Sequence, residues 1–228
     1  METAVVAFTR DLRVRDHPAL RAAIDGAHHV VPLFVIDDHL VAGPHASPNR
    51  LGFLGESLRD LDDSLRRVGG RLVVRRGDWV SEVVRVVAET GAGAVHVSAD
   101  VSQWATRRRE RLARTCASSG CAVVEHPGVT VVPPGALRPA GGGEFKVFTP
   151  YHRRWLEHPW RPVLPAPRRV ELPPALVDLT GDERSLDALD ALDVGGRSPD
   201  VEPGGESAAT ARLQRWARGG LARYGERH

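Results

Sequence analysis

The stretch Ala4-Val5-Val6-Ala7-Phe8-Thr9-Arg10-Asp11-Leu12-Arg13-Val14-Arg15-Asp16-His17-Pro18-Ala19-Leu20 changes character twice. Ala4–Phe8 is apolar without interruption, the mark of a strand covered on both faces of a parallel sheet. Thr9–Asp16 is polar and charged, a loop. Pro18 then suits the first turn of a helix, where a missing N–H costs nothing, with Asp16 as the expected cap and Gly26 as its end.

The same alternation continues outward. Val30–Ile36, Arg71–Arg75, Ala94–Ser98 and Cys121–Glu125 read as further strands, with a short sixth candidate at Val129–Val132. Between the second and third, Ser47 is placed to cap a helix and Pro48 to open it. Leu51, Leu54, Leu58, Leu61, Leu65 and Val68 then recur at steps of three or four, a single stripe facing a sheet. Gly69-Gly70 closes that helix, because glycine accepts the left-handed conformation of a C-terminal cap. A second long helix starts at Asp78 and a third spans Gln103 to Ala117. The spacing predicts an α/β fold: a doubly wound, parallel five-stranded sheet with helices on both faces, of Rossmann type. Such sheets bind ligands beyond the carboxyl ends of their strands, where strand order reverses. The candidate loops are therefore 9–16, 37–49, 76–78 and 99–103.

After Pro133-Pro134 the pattern breaks. The expected organisation is an α/β domain over 1–132, an extension over 133–158 and a Pro/Gly-rich linker over 159–205, with a last helix over 206–228. In the extension Gly141-Gly142-Gly143 reads as a hairpin tip and Phe148–Glu157 as an aromatic helix. The last helix carries Leu213, Trp216, Ala217, Leu221 and Tyr224 at helical spacing.

Composition narrows the function. The chain has 228 residues, 42% hydrophobic and 26% charged, as globular domains do. A net charge of +2 gives no argument for nucleic acid. Lys146 is the only lysine; arginine carries nearly all positive charge, as GC-rich coding sequence favours. No run reaches the roughly 20 apolar residues of a membrane span, and Met1-Glu2-Thr3 does not open a signal peptide. A cytoplasmic protein without membrane contact is expected. Cys116 and Cys121 form no CxxC pair, and the ten histidines show no ligand spacing, so no metal is expected. Walker A, GxGxxG and GxSxG motifs are missing. Gly91-Ala92-Gly93 precedes a strand rather than following one, so nothing marks a phosphate loop.

Phe8-Thr9-Arg10-Asp11-Leu12-Arg13 with Asp16-His17-Pro18-Ala19-Leu20 resembles the FRxDLRxxDxxAL signature of the DNA photolyase and cryptochrome family. Further matches fall in order: Pro32-Leu33-Phe34-Val35-Ile36-Asp37, Asn49-Arg50-Leu51-Gly52-Phe53-Leu54, Ser57-Leu58-Arg59-Asp60-Leu61, Gly77-Asp78 and Val132-Pro133-Pro134-Gly135-Ala136-Leu137. Phe145-Lys146-Val147-Phe148-Thr149-Pro150-Tyr151 also fits, and 206–228 resembles the first helix of the family's flavin-binding domain. The resemblance covers the chain except the linker. It implies the N-terminal half of such a protein, with the flavin half beyond it.

Several expectations follow from the resemblance. FAD is not expected to be retained by this chain alone. Only Tyr224, in a YxxxR-like setting with Arg223 and Arg227 nearby, matches a position that touches FAD in relatives; it also reads as an exposed remnant. No catalytic residue is assigned. The N-terminal half instead implies an antenna chromophore. Folate-binding relatives carry Asn-Glu after the fourth strand, where this chain has Trp104 and Ala105. Asp100-Val101-Ser102-Gln103-Trp104 is closer to the xDxxPY-like run of deazaflavin binders, with glutamine in place of proline. An 8-hydroxy-deazaflavin or FMN antenna is therefore expected before folate. Asp100 would accept from its ring edge, Arg10 and Arg50 would donate or stack, Phe34 would form an apolar wall, and Asp37 lies at the same rim. Plain structural roles stand beside these: Arg10 paired with Asp11, Arg50 on a solvated helix face, Asp100 as a helix cap. Arg107–Arg109 reads as a solvated face, so DNA contact by this chain is expected to be weak at most. The use implied is a pigment-binding module that is not catalytic alone; the alternative is the N-terminal part of a photolyase serving in light-dependent DNA repair, for which a separately encoded FAD-binding domain is the partner.

Overall fold

The structure, a computed structural model, describes residues 1–44, 46–177 and 188–226. Five strands, β1 (Thr3–Phe8), β2 (His29–Asp37), β3 (Val73–Gly77), β4 (Ala94–Ser98) and β5 (Ala122–His126), form one sheet in the order β3-β2-β1-β4-β5. Every pairing is parallel, with Val5 opposite Val31 on one side and Val95 on the other. This is the doubly wound sheet expected from the alternation of strands and helices. β1 is central, and its strand order reverses between β1 and β4.

The uninterrupted apolar strands are explained by two cores. Ala4, Val6 and Phe8 point to a core shared with α1 (Pro18–Gly26) and α3 (Pro48–Arg66). Val5 and Ala7 point to one covered by α4 (Trp79–Thr90) and α5 (Gln103–Ala117). A short α2 (Asp38–Val41) follows β2 directly. The leucine stripe of α3 does what its spacing predicts: Leu58, Leu61 and Leu65 are fully buried, and Ser47 caps the helix by accepting from the Arg50 N–H.

Five local expectations are corrected. The cap of α1 is His17, whose Nδ1 accepts from the Leu20 N–H. Asp16 instead takes φ +50° and turns its carboxylate to Arg161 and the Leu164 N–H. β3 starts at Val73 rather than Arg71, because Asp62 takes the Leu72 N–H and Arg71 reaches the Leu176 carbonyl. β5 starts one residue late, because the Cys121 N–H closes back on the Cys116 carbonyl. Residues 129–132 form bends, not a strand, and 141–143 lie in turns with no flanking strands. Gly128, at φ +146°, bends the chain against Pro18, where a Cβ would come within 3.0 Å of Cδ. Pro133-Pro134 then removes two donors from any ladder.

The segment read as a linker is more firmly seated than its composition suggests. Val170 N–H donates to the Val68 carbonyl, and Val30 N–H donates to the Glu171 carbonyl. Val170, Ala188, Leu189 and Leu192 join the core under α3, and Leu176, on α7 (Pro174–Val177), joins the other. Residues 178–187 of this segment lie outside the described residues. By contrast α6 (Phe148–Glu157) and α8 (Glu206–Gly219) bury no residue, and a 3-10 turn (Leu221–Glu226) ends the described chain.

Candidate functional site

The reversal of strand order parts the loops after β1 and β4 at the carboxyl edge of the sheet, the place where a doubly wound fold can admit a ligand. A narrow cleft lies there, bounded by Thr9, Ser98, Asp100, Trp79, Val97 and Arg108, with about 20 Å³ of free space.

Its floor is fixed by Asp11. This buried carboxylate accepts from the Thr9 N–H at 3.0 Å and from the Ser98 hydroxyl, tying the β1 loop to the end of β4. His17 Nδ1 is already an acceptor, so its proton sits on Nε2, 2.8 Å from Asp11 Oδ2 though off the line of a strong hydrogen bond. Burial alone would raise the Asp11 pKa; the His17, Ser98 and Thr9 contacts outweigh it and hold the carboxyl well below its usual range. Behind it, His96 Nδ1 meets His126 Nε2 at 2.8 Å with the rings nearly parallel. Burial, then the neighbouring His126, lowers the His96 pKa to about 4, and His126 is lowered by burial and by His17. This pair is neutral near pH 7.

The polar rim belongs to Arg10 and Asp100, joined by an ion pair of 2.7 Å. Of the structural alternatives, Arg10 pairs with Asp100 rather than with Asp11. Asp100 is not the cap of α5; Ser102 is, and Asp100 accepts from the Ser102 N–H instead. Partial burial pulls its pKa up, but Ser102, Arg10 and Arg108 together hold the carboxyl below its usual value. The apolar side is aromatic. Trp79 is buried at the start of α4, Trp104 is half open on α5, and the Arg108 guanidinium lies over both rings.

Of the residues expected from sequence, Arg10 and Asp100 come together. Asp37 is buried at the end of β2, where its carboxylate caps α2 through the His39 N–H and attracts Arg108. Phe34 points the other way, into the core beneath α3, because its place on β2 has the parity of Ile36 and Val30. It is not a wall of this cleft. Arg50 is exposed on the first turn of α3 and does not border the cleft either. Tyr224 is exposed, edge-on to Trp216, and Arg227 lies outside the described residues. Sequence reading missed Trp79 as an aromatic wall, the stacking of Arg108 on Trp79 and Trp104, and the Asp11–His17–Ser98 tie. The i, i+4 spacing of Trp104 and Arg108 was the one available signal. Among the described residues no cluster of His, Cys, Asp or Glu could hold a metal, and no helix is long and apolar enough to cross a membrane.

Fold and cleft define a doubly wound α/β domain with an aromatic and ionic edge at its switch point. The chain belongs to the DNA photolyase family, whose model matches residues 4–170. It is 43% identical to the deoxyribodipyrimidine photo-lyase of Streptomyces griseus over 230 aligned positions, covering 100% of this chain and 49% of the relative. A class III photolyase from Agrobacterium tumefaciens superposes with a TM-score of 0.84 at 24% identity, over 99% of this chain and 46% of that one. An archaeal photolyase from Sulfolobus tokodaii gives 0.77 at 23% identity, over 93% and 46%. That protein was solved with two FAD molecules, described as implying a novel light-harvesting cofactor. The chain spans about half the length of these relatives and corresponds to their N-terminal part.

Proposed function

We propose that this chain is an antenna module, holding a flavin- or deazaflavin-type ring in the cleft between the ends of β1 and β4. The observation that carries the reading is the Arg10–Asp100 pair set against Trp79 and Trp104 at the switch point. A flat ring with imide-like edges needs both a donor and an acceptor beside an apolar face. Arg10 and Asp100 provide the first, the two indoles and Val97 the second. Thr9 and Ser98 add short polar contacts, and the Asp11 tie keeps both loops in register. When bound, such a ring absorbs light and passes the excitation on. The protein's own part is to orient it and exclude water. The second FAD of the Sulfolobus tokodaii photolyase supports a flavin-type ligand for this fold. Folate is disfavoured by Trp104 and Ala105 at the loop positions discussed above.

Titration with riboflavin, FMN, a 5-deazaflavin and methenyltetrahydrofolate, read by ligand fluorescence, tests this. Flavin-class binding is expected first. Asp100→Ala and Arg10→Ala should each weaken it by about 1–3 kcal/mol, the worth of a charged hydrogen bond. Tight folate binding with no flavin-class binding overturns the assignment.

A photolyase-type partner is the natural recipient of that energy. The exposed rings of Phe148 and Tyr151 on α6, with Trp160 just beyond it, and the exposed face of α8 support docking of an FAD-binding half, whether in the same polypeptide or separate. Dimer repair and DNA binding would belong to that assembly. The isolated chain should retain no stoichiometric FAD, and release of one equivalent on denaturation counts against this.

A further inference from the structure

Three arginines of α5, Arg108, Arg109 and Arg111, are held in different ways. Arg109 is pinned by Glu125, and Arg111, three residues from Arg108, is pinned by Asp78. Arg108 makes no ion pair within 4.0 Å among the described residues. It is held by stacking: its guanidinium carbon lies 4.1 Å from the Trp79 ring centroid and 4.3 Å from that of Trp104. Burial lowers its pKa to about 10, while Asp37 and Asp100 pull the other way, so it stays charged near neutral pH.

A guanidinium is flat, delocalised and weakly hydrated, and it covers an indole face much as an aromatic ring does. With Arg108 in place the cleft has about 20 Å³ of free space, room for roughly one water. Small-molecule pockets run to about 300–1,000 Å³. The side chain that fills the aromatic slot is therefore the one least fixed by ionic contacts. We propose that Arg108 gates the cleft: it occupies the faces of Trp79 and Trp104, and yields them to a planar, fused aromatic ligand without a net positive charge. The gate rests on the reading of the cleft as a ring site. Asp37 and Asp100 keep the displaced cation nearby, and the exposed Trp104 (46%) is the flap that moves with it.

The test uses uncharged riboflavin, so that loss of the cation changes the gate and not the attraction of a charged ligand. Association rate and affinity are measured by stopped flow and by quenching of indole emission, for the wild type, Arg108→Ala and Arg108→Lys. Arg108→Ala should bind on the order of tenfold faster and tighter, since two cation–π contacts no longer compete. Arg108→Lys should fall between, because an ammonium cannot cover two ring faces; it also carries the test if the alanine variant does not fold. Unchanged or weaker binding in both variants, with the wild type still binding, overturns the gate and leaves the ring site standing. Absence of riboflavin, FMN and deazaflavin binding in all three proteins overturns the ring site, and the gate with it.

Discussion

α3 and α8 carry the same kind of pattern and meet opposite fates. Both place leucines and other large apolar groups at steps of three and four. In α3, Leu58, Leu61 and Leu65 are at most 1% exposed against the sheet. In α8, Leu213 is 62% exposed and Trp216 43%. The difference lies in what each helix meets. α3 is threaded between two paired strands and must lie on them, whereas α8 touches the domain through polar groups near its start. Glu206 accepts from the Val14 and Arg15 N–H groups, Asp60 accepts from the Ser207 N–H, and a cavity of about 410 Å³ remains between α8 and α3. An amphipathic pattern thus reports that a helix has a face to cover, and the topology decides whether this chain covers it.

The sharpest way to break that comparison is truncation on each helix. Leu61→Ala should cost about 2–5 kcal/mol and lower Tm markedly, since it leaves a cavity in a closed core. Leu213→Ala should change stability by less than about 0.5 kcal/mol. Equal losses from the two in chemical denaturation would mean that α8 is packed as α3 is.

A buried polar tie should behave like the core rather than like α8. Asp11→Ala strands Ser98, His17 and the Thr9 N–H, and about 2–4 kcal/mol is expected from unpaired buried groups. A loss near that of a surface carboxylate would show the tie to be slack.

Acid should act on the core first. The folded His96 pKa is depressed from 6.5 to about 4, so between those values the unfolded chain binds more protons and stability falls as pH drops from 6.5 toward 4. Asp11 is also depressed, as is Asp78, held near 2 by Arg111 and Ser81 against partial burial. Their contribution is present above pH 3.8 and lost as pH falls below it. His96→Asn should flatten the upper limb, worth on the order of 2 kcal/mol; a profile unchanged by the substitution would place the titration elsewhere.

The smallest effect is expected from removing residues 206–228. The α/β domain should stay folded with Tm shifted by only a few degrees, about 1 kcal/mol for the Glu206 contacts, while concentration-dependent association through the α8 face falls. Sedimentation and hydrogen exchange on both lengths decide it. A tail as protected as β1 would show that it belongs to the core.

Much of the fold was legible because its signals are local. Ala4–Phe8 is apolar at every position, the α3 leucines keep one period, and Ser47-Pro48 announces a start that the backbone follows. The cap at His17 was not legible. Asp16 is the better cap by propensity, but Arg161 and Leu164, 145 and 148 residues away in sequence, claim its carboxylate. The linker likewise reads as solvent-facing from its prolines and glycines, yet Val170 and Leu192 sit in the core, because isolated apolar residues carry no period to reveal them.

At the cleft the division is the same. Sequence alone determined the alternation of strands and helices and set Arg10 and Asp100 in the loops that follow β1 and β4 at the carboxyl edge of the sheet. These follow from hydrophobic period, turn chemistry and motif order, all written over a few adjacent residues. Tertiary structure alone decided that Phe34 turns into the core, that Arg108 stacks on an indole from another helix, and that α3 is covered while α8 is not. Those outcomes depend on strand register and on which distant surfaces meet, and neither is encoded in any short window of the chain.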